Sequence, residues 1–212
     1  MSASATPEPV LVLGIGNLLW ADEGFGVRAL EALHERVELP PHVRLVDGGT
    51  QGIYLLDEVC SAPQVLVFDA IAYGLEPGAL RVLRDGEIPV WTDQAMSLHQ
   101  ATFQELLALA QLRGRFPRRI TLIGVQPAVL DDLGGSLSPL VRARVAAAVD
   151  LAVDELARWG VPARKRTAPP AESLNARALA MHAYERDRPS ALEACRVGDA
   201  RFLAVARPTG AA

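Results

Sequence analysis

Short apolar runs alternate with segments of helical periodicity along most of this chain. The run Val10–Ile15 is too short for a helix and lacks polar alternation, so it predicts a strand buried on both faces. Further strands are predicted at residues 42–47, 64–69, 79–84 and 119–125. Such alternation of apolar strands with helices is typical of an α/β fold.

Four helical segments are predicted between and after these strands from their spacing and capping residues. They begin at Glu23, Tyr54, Ser97 or His99, and Ser138, and the last is a long helix that ends near Trp159. The first and the third have apolar faces that are expected to be buried. These faces consist of Val27, Leu30 and Leu33, and of Phe103, Leu106, Leu107 and Ala110.

One connection decides the direction of a strand. The link between the strands at 64–69 and 79–84 is shorter than the dozen or so residues that a parallel crossover needs. The strand at 79–84 is therefore expected to run antiparallel. The predicted fold is a three-layer α/β/α sandwich around a five-stranded, mostly parallel sheet with one antiparallel strand.

A change of composition divides the chain after residue 163. Residues 1–163 are predicted to form the main domain, and RKRTAPPAES, from Arg164, is predicted to be a linker. Residues 164–212 are expected to be a partly helical or disordered C-terminal extension, with helices near 174–185 and 191–195. The five-stranded core is expected to be complete without this extension.

Charge and composition exclude several classes of function. The net charge of −4 is uneven, with 12 basic and 20 acidic side chains in residues 1–163 but 9 and 5 in residues 164–212. The acidic main domain argues against nucleic-acid binding. No apolar stretch approaches the ~20 residues of a membrane span, and no signal peptide is evident. Cys60 and Cys195 match no zinc or redox spacing, so a reduced, cytoplasmic protein is expected.

Three potential metal ligands are expected to meet at one edge of the sheet. Glu23 follows the Gly-rich turn after the first strand, Asp69 ends the third strand, and His99 starts a helix. The carboxyl ends of parallel strands share one edge, and a mixed oxygen and nitrogen set suits Zn, Ni, Co or Mn. Each residue also has a structural interpretation: Glu23 beside a helix dipole, Asp69 as a loop cap, and His99 as a packed imidazole.

A second feature of this edge is Asp47, which is followed by Gly48 and Gly49. Turn formation explains this sequence, but two glycines also allow close approach of a peptide backbone. Asp47 is therefore a candidate catalytic residue, and Gly48 and Gly49 are candidate substrate-binding residues.

Known sequence motifs argue against other classes of enzyme. Gly14-x-Gly16 resembles the start of a dinucleotide-binding fingerprint, but Leu19 occupies the position of its third glycine. The chain contains neither the GxSxG elbow nor the HExxH helix, and neither cysteine lies with His and Asn in a recognisable motif. A protease with a nucleophilic serine or cysteine is therefore not supported.

Several segments together resemble the nickel-iron hydrogenase maturation endopeptidases of the HyaD/HybD/HupD type. They are GIGNLLWADEGFGVRALEAL (14–33), VDGGTQGIYLLDEV (46–59), VLVFDAI (65–71), MSLHQ (96–100) and TLIGVQP (121–127). The resemblance covers about residues 10–160 and leaves the extension aside. It implies the α/β/α sandwich and a metal bound by Glu23, Asp69 and His99.

The resemblance also implies a substrate, which is the precursor of the large subunit of a nickel-iron hydrogenase. Such proteins remove a short C-terminal extension from this precursor once nickel is inserted. Our hypothesis is that the three ligands bind the nickel held by the precursor and that water then attacks the peptide carbonyl. Either the metal polarises this carbonyl or a carboxylate acts as base, and Asp47 is the candidate for that base or for peptide positioning. An aspartic-type label would then refer to essential carboxylates. The alternative is a non-catalytic, metal-dependent assembly factor. Neither the resting metal, for which Zn is one candidate, nor the oligomeric state follows from the sequence.

Overall fold

The computed structural model describes residues 7–88 and 98–188, and in the second range it describes side chains from Phe103 onward. The strands are β1 (Val10–Ile15), β2 (Val37–Glu38), β3 (Val43–Gly49), β4 (Gln64–Ala70), β5 (Leu80–Arg84), β6 (Arg119–Val125) and β7 (Arg164–Lys165). The helices are α1 (Phe25–Arg36), α2 (Leu56–Ser61), α3 (Leu98–Leu112), α4 (Pro139–Arg142), α5 (Val145–Arg158) and α6 (Met181–Asp187). Short 3₁₀ turns precede α1, α2 and α6.

Five strands form the main sheet in the order β3-β1-β4-β6-β5. β1 pairs in parallel with β3 and β4, and β4 pairs in parallel with β6, whereas β5 runs antiparallel to β6. The predicted mostly parallel sheet with one antiparallel strand is thus confirmed. The chain places β3 on one side of β1 and then β4 on the other, so the strand order reverses at β1. Open α/β sheets bind ligands at the carboxyl ends of the strands at such a point.

Helices cover both faces of this sheet, and successive residues of each inner strand point to opposite faces. Val10 and Val12 of β1 belong to one core cluster, which includes residues of α1 and α5, whereas Leu11 and Leu13 belong to the other, with α2 and α3. The predicted buried positions of the first and third helices are all buried, and all of them except Val27 lie in these clusters. A strand buried on both faces explains why its sequence is a continuous apolar run.

Two predicted helices differ from the observed ones. α1 begins at Phe25, and Glu23 lies in the preceding 3₁₀ turn Ala21–Gly24 instead of opening the helix. The long helix predicted from Ser138 is interrupted after α4, because the backbone N–H of Arg144 donates to Val141, three residues back. This 3₁₀ step separates α4 from α5, although Ser138 does cap the start as predicted, accepting from the Val141 N–H at 3.4 Å.

The described part of the extension packs against the main domain. Its first two residues, predicted as linker, form β7 and pair antiparallel with β2. The helix predicted near 174–185 is shorter, with a 3₁₀ turn at Arg177–Leu179 followed by α6. The helix predicted near 191–195 lies outside the described residues. Within the described ranges, no helix is both long and apolar enough to cross a bilayer.

Gly26 sets the distance between α1 and the sheet. A Cβ atom at this position would lie 2.1 Å from the carbonyl oxygen of Ile15 and 2.2 Å from that of Phe68. Both distances are far inside van der Waals contact, so no larger residue fits without moving α1. The glycine therefore lets the first turn of α1 touch the carboxyl ends of β1 and β4 directly.

We expect Gly26→Ala to lower the free energy of unfolding by about 3 kcal/mol, since over-packing forces the backbone apart. Gly86→Ala is the matched control, because a Cβ there has no atom within 4 Å. Urea denaturation of both variants measures the difference. Equal midpoints for the two variants would contradict the close contact described here.

Candidate functional site

The turn that carries Glu23 is pressed against the end of β1. Gly16 has φ 137°, and a Cβ on it would lie 1.8 Å from the carbonyl oxygen of Glu23. This conformation strongly favours glycine. The Gly-rich turn recognised in the sequence thus holds half-buried Glu23 at the carboxyl edge of the sheet.

Asp22 anchors the same turn from its other side. Its side chain is fully buried and accepts four hydrogen bonds: from the backbone N–H groups of Ala128, Val129 and Ser138 at 2.7–2.9 Å, and from the Ser138 hydroxyl at 3.0 Å. These bonds satisfy both oxygens of the buried carboxyl group. Asp22 therefore ties the Glu23 turn to the loop between β6 and α4.

Asp69 lies at the end of β4 and is 2% exposed. Its Oδ1 accepts a hydrogen bond from the N–H of Ala70 at 2.8 Å. The 3₁₀ turn with Glu23 packs against β4. Glu23 and Asp69 therefore belong to two elements that contact each other at this edge of the sheet.

The loop after Asp69 carries Tyr73 at the rim of this edge. Burial raises the pKa of the Tyr73 phenol; the guanidinium of Arg81 opposes the rise, and the negative charge of Asp69 adds to it. Arg81 lies over the Tyr73 ring, 5.2 Å from its centre. Gln126 Oε1 fixes the loop by accepting from the N–H groups of Tyr73 and Leu75. Tyr73 is thus a neutral hydroxyl group beside Asp69 that the sequence analysis missed.

The third predicted metal ligand, His99, lies in the first turn of α3. Its side chain is outside the described residues, so the predicted set of Glu23, Asp69 and His99 stays a prediction. Among the side chains that the structure describes, no three His, Cys, Asp or Glu residues form a metal site.

Asp47 organises the loop at the end of β3. Its Oδ1 accepts from the N–H of Gly49 at 2.9 Å, and its Oδ2 accepts from the side-chain amide of Asn175 at 2.7 Å. Gly14 pairs with Asp47 but Ile15 pairs with Gly49, so Gly48 is an extra residue that forms a bulge. The carbonyl of Gly49 then accepts from the N–H of Gly16 at 3.0 Å.

Exposed apolar side chains surround this edge. They occur on the loops that follow β1, β3, β4 and β6, and the most exposed of them is Tyr54, at 84%. They are Leu19, Ile53, Tyr54, Tyr73, Leu75 and Leu133. Acidic groups inside an apolar rim are suited to a macromolecular ligand with a polar or cationic centre.

Comparison with known proteins gives consistent matches. The family model described as hydrogenase maturation protease, HycI, matches residues 27–155. The hydrogenase expression/formation protein HoxM of Cupriavidus necator is 51% identical over 197 residues, which cover 92% of this chain and 98% of HoxM. The corresponding protein HupD of Rhodobacter capsulatus is 52% identical and covers 93% of this chain and 94% of its own.

Among solved structures, the hydrogenase maturating endopeptidase HybD of Escherichia coli superimposes with a TM-score of 0.71 at 37% identity. The match covers 98% of that chain but 75% of the present one. About a quarter of the present chain therefore has no counterpart in it. The matches to HoxM and HupD are longer than the main domain and must extend beyond residue 163.

We expect Asp22→Asn to destabilise the protein by about 2–4 kcal/mol, because an amide NH₂ would face the buried N–H donors that now bind a carboxylate. Asp131→Asn, at an exposed position of the adjoining loop, is the control and should stay within about 0.5 kcal/mol. Thermal unfolding followed by circular dichroism measures both. A small effect of Asp22→Asn would mean that Asp22 does not anchor the turn.

Proposed function

This chain belongs to the hydrogenase maturation protease family, and we propose that it removes the C-terminal extension of a nickel-iron hydrogenase large-subunit precursor after nickel insertion. The observation that carries the proposal is the pair of carboxylates, Glu23 and Asp69, at one sheet edge of a fold that matches HybD. We place the reaction in the cytoplasm, where Cys60 would remain a free thiol.

We further propose that Glu23, Asp69 and His99 bind the nickel that the precursor carries. Two carboxylates and an imidazole are suitable ligands for a divalent transition metal, and Zn²⁺ fits the same donors. Three protein ligands leave coordination positions for groups of the precursor. In this proposal the nickel is part of the substrate, and its capture holds the scissile peptide at the edge.

The proposed reaction is hydrolysis of one peptide bond by water. The water oxygen attacks the carbonyl carbon, the C–N bond breaks, and the leaving amine takes a proton while the new C-terminus becomes a carboxylate. A carboxylate of the edge accepts the proton from water, and in this sense the enzyme would be aspartic in type. The protonated phenol of Tyr73 is a candidate hydrogen-bond donor to the peptide.

Asp47 has two possible roles in this scheme. The bonds from Gly49 and Asn175 support a positioning role, in which Asp47 fixes the loop of Gly48 and Gly49 that faces the substrate. Each oxygen keeps a second lone pair for a water molecule, so a role as general base stays a prediction.

Incubation of the purified protein with the precursor, followed by mass spectrometry, tests the reaction. We expect loss of the C-terminal peptide from nickel-loaded precursor and intact mass for nickel-free precursor. Stable binding of loaded precursor without any loss of mass would instead support the non-catalytic assembly factor.

Replacement of the three proposed ligands tests the site. Glu23→Gln, Asp69→Asn and His99→Ala should each slow processing by at least about a hundredfold, as expected for lost ligands, while circular dichroism stays unchanged. Glu105→Gln, an exposed position of α3, is the matched control. Processing at the normal rate by all three variants would refute the assignment.

A further inference from the structure

The extension, whose described part is residues 164–188, runs along α1 towards the candidate site. It starts at β7 beside the end of α1, where the backbone N–H of Arg166 donates to Arg36 at 2.8 Å and its guanidinium donates to the His34 carbonyl at 3.0 Å. Near the other end of α1, the Arg28 guanidinium donates to the carbonyl of Leu179. The extension therefore follows the helix from its C-terminus to its N-terminus.

Between these ends the extension is attached at discrete points. A cavity of about 870 Å³ lies between the extension, α1 and α5. Around this cavity, Leu174 packs against the core, and the Glu172 carbonyl lies 2.9 Å from His34 Nε2. Asn175 makes the contacts that reach the candidate site.

The side-chain amide of Asn175 bridges two carboxylates from different elements. Its Nδ2 lies 2.7 Å from Asp47 Oδ2, at the end of β3, and 3.1 Å from Glu31 Oε1, on α1. An amide NH₂ carries two hydrogens, so both bonds can form at once. Hydrogen bonds to ionised acceptors are stronger than those between neutral groups. The other carboxylate oxygen of Glu31, Oε2, forms an ion pair with the Arg28 guanidinium at 2.8 Å.

Asp47 connects this bridge to the turn that carries Glu23. Its other oxygen binds the N–H of Gly49, and the carbonyl of Gly49 binds the N–H of Gly16. The α-carbon of Gly16 packs directly against the carbonyl group of Glu23. A continuous line of short contacts thus leads from Asn175 to the proposed metal ligand.

We propose that the extension is a brace for the catalytic edge and that Asn175 is its positioning residue. The amide holds Asp47, and through it the Gly48–Gly49 loop and the Glu23 turn, in the geometry that processing requires. This inference rests on the proposed function. HybD has no counterpart for about a quarter of this chain.

The test compares Asn175→Ala with Arg166→Ala. Arg166→Ala removes an anchor of the same extension that does not touch Asp47, so it controls for general loosening. We expect Asn175→Ala to lower kcat for nickel-loaded precursor about tenfold with KM little changed, as for lost positioning groups. Arg166→Ala should keep kcat within about twofold of wild type.

A second measurement needs no substrate. Amide hydrogen exchange at Gly49 should become faster in Asn175→Ala and stay unchanged in Arg166→Ala. Unchanged kcat or unchanged Gly49 exchange in Asn175→Ala, or an equal loss in Arg166→Ala, would overturn the proposal. If the wild-type protein cleaves no precursor, the proposed function fails, while Gly49 exchange still decides whether Asn175 holds the loop.

Discussion

Direct backbone contact between α1 and the carboxyl ends of β1 and β4 is the constraint on which the rest of the structure depends. Gly26 meets the carbonyls of Ile15 and Phe68, and Gly14 meets the carbonyl of Gly26, with no room for a side chain at either glycine. This contact brings the turn before α1 against β4, whose penultimate residue is Asp69. Since a few tenths of an ångström decide such packing, the edge has little freedom to move.

The buried carboxylate of Asp22 fixes the same turn through polar contacts. It accepts hydrogen bonds from N–H groups of the loop after β6, and the adjacent Glu23 is partly exposed at the edge. Two neighbouring acids thus differ: Asp22 satisfies buried donors, and Glu23 is the residue that we propose as a metal ligand.

The extension joins this rigid edge through polar groups. Asn175 binds Asp47 and Glu31, and further polar contacts lie along the described segment. Leu174 and Met181 also pack against the apolar core. The segment can restrict a loop, because a hydrogen bond between charged and neutral partners fixes orientation as well as distance. Such a contact is the physical basis of the brace that we propose.

The sequence by itself determined the five strands and their directions, which are parallel with one reversal. Periodicity and connection length are local properties, and they suffice for such features. Tertiary structure alone decided the role of Asp22, the break between α4 and α5, and the contact of Asn175 with Asp47. The donors to Asp22 lie 106–116 residues away, and Asn175 lies 128 residues from Asp47. Such partners meet only after the chain has folded, so no local pattern encodes them.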